Sequence, residues 1–322
     1  LMIPHSETAE RQARTIVIAV GGNALQPQGG QGDIAEQFEH TRESLGAVVD
    51  LAAKGWRIAV VHGNGPQIGD ELLRNEMARQ EVPPLPLGVL VASTAGWIGY
   101  MIQQSLQNAL EQAGVQRSVA TLITQVVVDP AEANGRPVKP IGRFMTEAQA
   151  QAVARETGWT VGPSGNGWRR LVSSPVPTGT VEGRQIRQLV EAGTIVIAAG
   201  GGGTPVYRDP VLSLEGVDAV VDKDRAAEVL AREIGAGTLL ILTNVEGAYR
   251  AFGTPRQELL RKLGADEADA LLAAGEFGEG SMGPKVEAAV AFVRGGGRRA
   301  ILGRLDQGLQ AVQGEAGTTI VP

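Results

Sequence analysis

The chain has 322 residues and a formal net charge of −6, with 29 Lys and Arg against 35 Asp and Glu. This balance gives no basic footprint for nucleic acid, and no run approaches the ~18 consecutive apolar residues of a membrane-spanning helix. The chain contains no cysteine, which excludes disulfides and cysteine-ligated zinc, and the spacing of His5, His40 and His62 matches no metal site. We therefore expect a soluble, cytoplasmic protein without a protein-caged metal, in which residues 1–14 form a disordered leader.

Apolar, β-branched runs alternate with helical patterns along most of the chain. The first strand is predicted at Thr15–Val20, and a helix over residues 34–54 follows, which Gly55 ends. Further strands are predicted at 57–61, 119–129, 194–199 and 238–243. Further helices are predicted at 66–79, from Gly96 or earlier to 113, at 182–192 and at 225–232. This alternation predicts a doubly wound α/β fold, with a mainly parallel sheet and helices on both faces.

Residues 130–177 break this rhythm. Prolines recur through the segment, and its short extended pieces surround one predicted helix at 146–156. We interpret it as an inserted, protruding subdomain rather than another strand–helix unit. In the last part of the chain we expect helices at 257–263, 265–274 and from about Lys285 to 294. Short strands are expected at 299–302 and 317–321.

Glycines cluster where the apolar strands end. The 44 glycines are about twice the ~7% of average proteins. They follow the strands in the runs Gly21-Gly22-Asn23, Gly63-Asn64-Gly65 and Gly200 to Gly203. Glycine lets backbone N–H groups approach an anion closely, and ligands of open α/β sheets bind beyond the carboxyl ends of the strands. A phosphate or carboxylate site is therefore predicted at this edge of the sheet.

Two lysines are predicted at helix starts, where the helix dipole disfavours a cation. Asp222 is a good N-cap for the helix that contains Lys223, and Lys285 follows Pro284, a residue suited to a first helical turn. Either neighbouring carboxylates such as Asp222 simply neutralise these charges, or the lysines reach for a bound anion. Lys139, held extended before Pro140, is a third candidate and could equally be a solvated loop charge.

In this combination the sequence resembles the amino acid kinase superfamily, and within it the carbamate kinases. Two motifs in the insert, Lys139-Pro-Ile-Gly142 and Gly167-Trp-Arg-Arg170, distinguish carbamate kinases from acetylglutamate and glutamate kinases. The other matching motifs run in order along the chain: Gly21-Gly-Asn-Ala-Leu25, His62-Gly-Asn-Gly-Pro-Gln67, Gly96-Trp-Ile-Gly-Tyr100, Ala198-Ala-Gly-Gly-Gly-Gly203, Val221-Asp-Lys-Asp224, Leu242-Thr243 and Gly280-Ser-Met-Gly-Pro-Lys285.

The resemblance implies an open αβα sandwich and the reaction ATP + carbamate = ADP + carbamoyl phosphate, which we expect to run in the ATP-forming direction in arginine metabolism. The implied catalytic residues are Lys139, Lys223, Asp224 and Lys285, with Asp224 orienting the lysines. The implied substrate-binding residues are Gly21, Gly22, Asn23, Gly63, Asn64 and Gly65. The implied nucleotide-binding residues are Thr243, Asn244, Val245, Tyr249, Met282 and Gly283.

The resemblance also implies two lobes and a homodimer. Residues 15–225 would bind carbamate or carbamoyl phosphate, and residues 226–322 would bind ATP or ADP, with Mg²⁺ held mainly by phosphates and water. The chain departs from the family pattern at Ser93-Thr-Ala-Gly96, at Arg143-Phe-Met145 and at Thr243-Asn-Val-Glu246. Two alternatives remain open: a kinase for another small carboxylate or phosphate, and a nucleotide-sensing protein without catalysis.

Overall fold

A central sheet of eight strands organises the computed structural model, which describes residues 12, 14–21, 25, 32–278 and 282–322. The sheet order is β15-β17-β16-β12-β1-β2-β9-β3, and it is parallel except that β17 and β15 run opposite to the rest. In chain order the strands are β1 Thr15–Val20, β2 Arg57–His62, β3 Val119–Thr121, β4 Gln125–Val128, β5 Lys139–Met145, β6 Val161–Ser164, β7 Gly167–Val172, β8 Pro177–Thr180, β9 Ile195–Ile197, β10 Thr204–Asp209, β11 Ser213–Gly216, β12 Thr238–Thr243, β13 Tyr249–Arg250, β14 Glu258–Leu259, β15 Lys262–Gly264, β16 Arg299–Arg304 and β17 Thr318–Val321.

Helices cover both faces of this sheet. They are α1 Ile34–Ser44, α2 Gly46–Ala53, α3 Gly65–Met77, α4 Leu87–Gln112, α5 Pro130–Ala133, α6 Glu147–Thr157, α7 Gly183–Glu191, α8 Lys223–Glu233, α9 Ala265–Ala273, α10 Met282–Arg294 and α11 Gly308–Gln313. None of the helices in the described part of the chain is long and apolar enough to cross a membrane.

Strand β1 shows why the sheet lies between two helical layers. All six of its residues are buried, because successive side chains point to opposite faces and both faces are covered. Ile16 and Ile18 pack in one core cluster with residues of α2, α4 and α11, whereas Val17 and Ala19 pack in the other with residues of α7, α8 and α10. The predicted doubly wound α/β fold is therefore confirmed.

Three smaller sheets lie outside this sandwich in the described residues, and one of them is the hairpin β13-β14. The other two are larger. One has the order β11-β10-β4-β8, and the other, β5-β7-β6, packs against α6 within the segment expected to protrude. The β5 strand also packs along α3, where a Cβ on Gly69 would lie 2.8 Å from the Cα of Gly142. Ile68 and Ile141 belong to one apolar cluster across this contact. The three-stranded sheet is thereby held beside the carboxyl edge of the central sheet.

Several element predictions were wrong. The predicted strand 119–129 is two strands in different sheets, since Thr124 donates to Leu122 O and accepts from Ala199 N and so turns the chain out of the central sheet. The predicted helix 257–263 is instead β14 and the start of β15, because Leu259 pairs with Tyr249 and Leu263 pairs with Ile320. The predicted helix 34–54 is broken at Leu45.

Candidate active site

A cavity of about 600 Å³ opens at the carboxyl edge of the central sheet. Adjacent strands bring its walls together: β2 ends before Gly63, β1 before Gly21, β12 at Thr243 and β16 before Leu305, and all four of these residues line the cavity. The strand order therefore arranges the site in space. The glycines lie over β1 and β2, and an apolar group of side chains lies over β12 and β16.

One buried carboxylate pairs with two lysines at the middle of the cavity. Asp224 is 1% exposed, and its Oδ1 lies 2.8 Å from the Nζ of Lys223, while its Oδ2 lies 3.2 Å from the Nζ of Lys285. The lysines come from the first turns of α8 and α10, which pack against each other. Lys223 also approaches the backbone of Gly21, whose ideal Cβ would lie 3.9 Å from Lys223 Cε. The structure thus brings two of the predicted lysines together over the end of β1.

Lys139 joins this group from the neighbouring three-stranded sheet. Its Nζ lies 3.3 Å from Val221 O and 3.4 Å from Asp222 Oδ2. The other oxygen of Asp222 accepts from the N–H groups of Asp224 and Arg225, so the predicted N-cap is confirmed. One carboxylate therefore fixes the start of α8 and also receives the lysine from β5.

The three lysines carry one more charge than the two carboxylates that face them. Burial lowers the pKa of Lys139 and of Lys285. Against the opposing effect of burial, Asp224 and Asp222 raise the pKa of Lys223. Likewise, although burial opposes it, Lys139 and Lys223 lower the pKa of Asp222 to about 2. Asp224 lies between the two cations, whose mutual repulsion adds to burial in lowering the pKa of Lys285. Such a site favours the arrival of further negative charge.

The glycine side of the cavity is supported from beneath. Gly63, Asn64 and Gly65 line it, and the side chain of Asn64 donates to Thr94 Oγ1 at 2.9 Å. Gly201 has φ +70° and packs so closely on Asn64 that a Cβ there would lie 2.4 Å from its Nδ2. Only glycine fits this approach. Predicted Gly22 and Asn23 lie outside the described residues.

His62 lies fully buried below this loop, and its Nδ1 is 3.0 Å from Gly63 O. Burial lowers its pKa to about 4, so the ring is neutral at pH 7 and Nδ1–H donates to that carbonyl. His62 does not line the cavity and offers no general base to a bound ligand. Sequence reasoning missed this supporting role, as it missed Thr94 and Gly201, although the run of four glycines was a signal for the last.

The apolar side contains most of the predicted nucleotide-binding residues. Thr243, Asn244, Val245, Tyr249 and Met282 line the cavity. Gly283 is buried and does not line it, and its N–H donates to Gly278 O within the chain. Further lining residues on this side were missed, among them Phe252, Glu276, Phe277 and Leu305. They lie outside the quoted motifs, on segments whose structure the sequence predicted poorly or not at all.

This arrangement can hold a polyanion in line between a backbone-lined pocket and an apolar pocket. Lysines and backbone amides neutralise charge, as phosphoryl transfer requires. Within the described residues no group of three His, Cys, Asp or Glu side chains could hold a metal ion. The lining carboxylates Asp222 and Asp224 are already paired with lysines, and that of Glu276 accepts from Ala251 N, so a Mg²⁺ ion would fit here only with phosphate and water as its main ligands.

Comparison with known proteins gives one consistent result. A model of the amino acid kinase family matches residues 14–303. The carbamate kinase of Pyrococcus horikoshii is 44% identical over 311 residues, which cover 95% of this chain and 99% of that protein. The carbamate kinase of Halobacterium salinarum is 46% identical over 308 residues, covering 95% and 98%. The structure of a carbamate kinase from Giardia lamblia bound to AMP-PNP has a TM-score of 0.89 at 35% identity and covers 97% of this chain and 99% of that one.

These matches extend across the central sheet, both helical layers and the strand ends that form the cavity, rather than over one motif. The fold and the nearly full-length identity agree with the lysine and glycine motifs read from the sequence. The chain therefore belongs to the amino acid kinase family and, within it, to the carbamate kinases.

Proposed function

We propose that the protein catalyses reversible phosphoryl transfer between ATP and carbamate, giving ADP and carbamoyl phosphate. The observation that carries this proposal is the pairing of Lys223 and Lys285 on the single buried carboxylate of Asp224, between a glycine-lined pocket and an apolar pocket. Two lysines held at fixed positions can follow charge as it moves between donor and acceptor.

In the proposed reaction, the nucleotide base lies over β12 and β16, and the carbamate lies over β1 and β2. A carbamate oxygen gives its electron pair to the γ-phosphorus, and the bond from that phosphorus to the β,γ-bridging oxygen breaks toward ADP. Carbamate is already an anion, so no proton must leave it. The absence of a histidine among the residues that line the described cavity is compatible with this chemistry.

We assign roles to residues on the same basis. Lys223 and Lys285 neutralise the transferring phosphoryl group, Asp224 orients both lysines, and Lys139 reaches the group from β5. Backbone N–H groups of Gly21, Gly22, Asn23, Gly63, Asn64 and Gly65 receive the carbamate and phosphoryl oxygens. Mg²⁺, when bound, supplies charge neutralisation and orientation to the phosphates.

Four finer proposals concern the setting of the reaction. Residues 15–225 form the lobe that binds carbamate, with 130–177 as its protruding part, and residues 226–322 form the nucleotide lobe. The physiological direction is ATP formation, because the mixed anhydride of carbamoyl phosphate is a strong phosphoryl donor, and arginine breakdown is a suitable source. The enzyme works in the cytoplasm, where ADP and Mg²⁺ are available. Fractionation of the host would test the cytoplasmic location. ATP measurement after arginine feeding would test the direction of the reaction and the source of carbamoyl phosphate.

We further propose a homodimer through an apolar face on α1 and α4. Ile34 and Tyr100 are 54% and 58% exposed, and Phe38, one turn after Ile34, meets Tyr100 edge-on at 6.3 Å. Ile123, 43% exposed, continues the face beside Gly96. Such a contiguous apolar patch is typical of an interface. Light scattering of the purified protein should give twice the chain mass, and Tyr100→Glu should reduce it to the mass of one chain.

The central test mixes purified protein with carbamoyl phosphate, ADP and Mg²⁺ and follows ATP. We expect rapid ATP formation that Lys223→Ala and Lys285→Ala each reduce by about 100-fold or more. Failure of the wild-type protein to form ATP would refute the proposed reaction. Near-normal turnover in both variants would refute the lysine mechanism while leaving the reaction in place.

A kinase for another small carboxylate or phosphate is the second candidate, favoured by Ser93-Thr-Ala-Gly96 and Arg143-Phe-Met145, where the chain departs from the family pattern. A screen of small acids with ATP, read as ADP release, separates it from the first. Nucleotide binding without turnover on any acid would instead support a sensing protein.

A further inference from the structure

A short hairpin at the apolar end of the cavity contains an unusual backbone conformation. Tyr249 pairs with Leu259 and Arg250 with Glu258, and the turn begins at Ala251. Ala251 has φ +50°, in the left-handed region that favours glycine. This conformation is costly for a residue with a Cβ, and it persists only where the surroundings hold it.

Both backbone polar groups of Ala251 are held. Its N–H donates to the carboxylate of Glu276, and its carbonyl accepts from the N–H of Thr254 at 3.2 Å and from its hydroxyl at 2.8 Å. Glu276 is itself fixed, since its N–H donates to Leu271 O at the end of α9 and the next residue, Phe277, is 5% exposed. A carboxylate on a rigid segment therefore determines the course of the hairpin turn.

The effect of this turn is to present Phe252 at the cavity. Phe252 lines the cavity but is 61% exposed, and its ring centroid lies 5.6 Å from that of Tyr249 at an interplanar angle of 49°. An aromatic side chain left this open loses the favourable burial available to it. Phe252 and Tyr249 follow β12 in the chain and line the cavity together, on the side where a nucleotide bound by its phosphates would extend its base.

We propose that Phe252 is an aromatic lid that stacks on the base of the bound nucleotide, and that Glu276 is the positioning residue that holds the lid in place through Ala251. The proposal rests on nucleotide binding in the proposed function, but not on the identity of the acceptor. Because stacking uses the π-face that every base has, the lid should strengthen binding of ADP and GDP alike.

The lid itself is tested by calorimetric titration of the full-length protein with ADP, without carbamoyl phosphate. We expect Phe252→Leu, which keeps an apolar side chain but removes the ring, to weaken ADP binding by about 5- to 50-fold. Phe252→Tyr should stay near wild type, and GDP binding should fall by a similar factor in the leucine variant. The matched control is Phe144→Leu, because Phe144 is 60% exposed on β5 and lies outside the cavity lining. Binding by Phe252→Leu within twofold of the Phe144→Leu control would overturn the lid.

Rescue tests the role of Glu276. Glu276→Ala should weaken ADP binding about as much as Phe252→Leu, while Glu276→Gln, which keeps an acceptor oxygen, should retain most of the affinity. Adding Ala251→Gly to Glu276→Ala should restore affinity, because glycine adopts the left-handed conformation without the carboxylate. A direct contact between Glu276 and the base would not be rescued in this way, so an unrescued double variant would overturn the positioning role.

The turnover of the same variants separates this proposal from the proposed function. We expect KM for ADP to rise with kcat nearly unchanged, since in this proposal Phe252 contacts the base and not the transferring phosphoryl group. If the wild-type protein binds ADP but forms no ATP from carbamoyl phosphate, carbamate is refuted as the acceptor. The ADP titrations of the variants would still test the lid. Wild-type protein that binds no ADP would overturn both.

Discussion

At the residue scale, the site depends on how Asp224 divides one negative charge between two cations. Lys223 and Lys285 both contact it, yet their pKa values move in opposite directions. Burial opposes but does not overcome the attraction of Asp224 and Asp222 on Lys223, whereas burial and the repulsion of Lys223 lower the pKa of Lys285 despite the same carboxylates. Burial lowers the pKa of Lys285 and of Lys139, so the carboxylate that each contacts helps to keep it protonated. In the proposed mechanism, a lysine that loses its proton no longer stabilises the transferring phosphoryl group.

Asp224→Asn should consequently reduce kcat by about 100-fold and lower the pH at which activity is lost on the alkaline side. The sign follows from the charge: activity requires protonated lysine, and loss of the carboxylate lowers the pKa of Lys285 further. Activity measured from pH 6 to 10 would show this shift. Asp266→Asn, which breaks an exposed ion pair with Arg294, is the control. An unchanged alkaline limb in Asp224→Asn would contradict the shared-charge account.

His62 gives a second prediction at this scale. Its pKa is about 4 in the folded protein against about 6.5 in the unfolded chain, so between these values the unfolded chain binds more protons. Stability is then unaffected by His62 above about pH 6.5 and falls as pH decreases toward 4. Between pH 7 and 5 this histidine should account for a loss of about 2 kcal/mol in the free energy of unfolding.

Urea unfolding at pH 7 and pH 5 checks this expectation. His62→Asn should be less stable than wild type at pH 7 but should lose about 2 kcal/mol less on acidification. Asp222 does not contribute to the difference in the free energy of unfolding between pH 7 and pH 5, because its lowered pKa affects stability only below about pH 4. Equal losses in wild type and His62→Asn would refute the burial argument.

At the scale of elements, the strands and helices that follow from a local residue pattern were predictable from the sequence. The prediction failed where pairing with residues distant in the chain determines the structure. Strands β1, β2 and β12 were predictable because burial on both faces leaves an uninterrupted apolar run. Residues 257–263 have a helical pattern, but their backbone groups pair with Tyr249, Arg250 and β17. Lys223 and Lys285 were predictable because a cation is unusual at the start of a helix. Phe252 and Glu276 were not predictable, because their proposed role depends on the turn at Ala251, which the Glu276 carboxylate holds.

The start of α8 offers a prediction at this scale, because Asp222 acts on the helix and on Lys139 through different oxygens. Asp222→Ala should lower the free energy of unfolding by about 1 kcal/mol or more through loss of the cap. Asp222→Asn keeps a capping oxygen but loses the charge that Lys139 and Lys223 stabilise, so it should be destabilised less than Asp222→Ala while still reducing kcat, because Lys139 loses its anionic partner. Thermal melts and turnover of both variants test this. Equal stability losses for asparagine and alanine would contradict the capping role.

At the scale of the whole molecule, the proposed mechanism requires two separately built sheets to meet at one cavity. Lys139 belongs to the three-stranded sheet, and that sheet meets α3 where Gly69 and Gly142 pack backbone against backbone. Arg143 adds an ion pair to Asp70 at 3.1 Å. Gly142 is only three residues from Lys139, so any displacement at the glycine contact is carried to the lysine.

Gly69→Ala tests this coupling. The new Cβ would lie 2.8 Å from Gly142 Cα, against 3.4–4 Å for an ordinary contact, so the two backbones must separate by at least about 0.6 Å. Misplacement on this scale can cost up to about 100-fold in rate, and we expect kcat to fall by about 10-fold or more. Helix stability should change little, since alanine favours helix over glycine by about 0.5–1 kcal/mol and offsets part of the strain.

The matched control is Gly46→Ala at the exposed start of α2, where a Cβ meets nothing within 4 Å. It should keep full activity and equal or raise the melting temperature. Hydrogen exchange should be faster in residues 139–172 of Gly69→Ala but unchanged in the strands of the central sheet, because only the docking of the small sheet is disturbed. Wild-type kcat in Gly69→Ala, with unchanged exchange, would mean that Lys139 reaches the cavity independently of this contact.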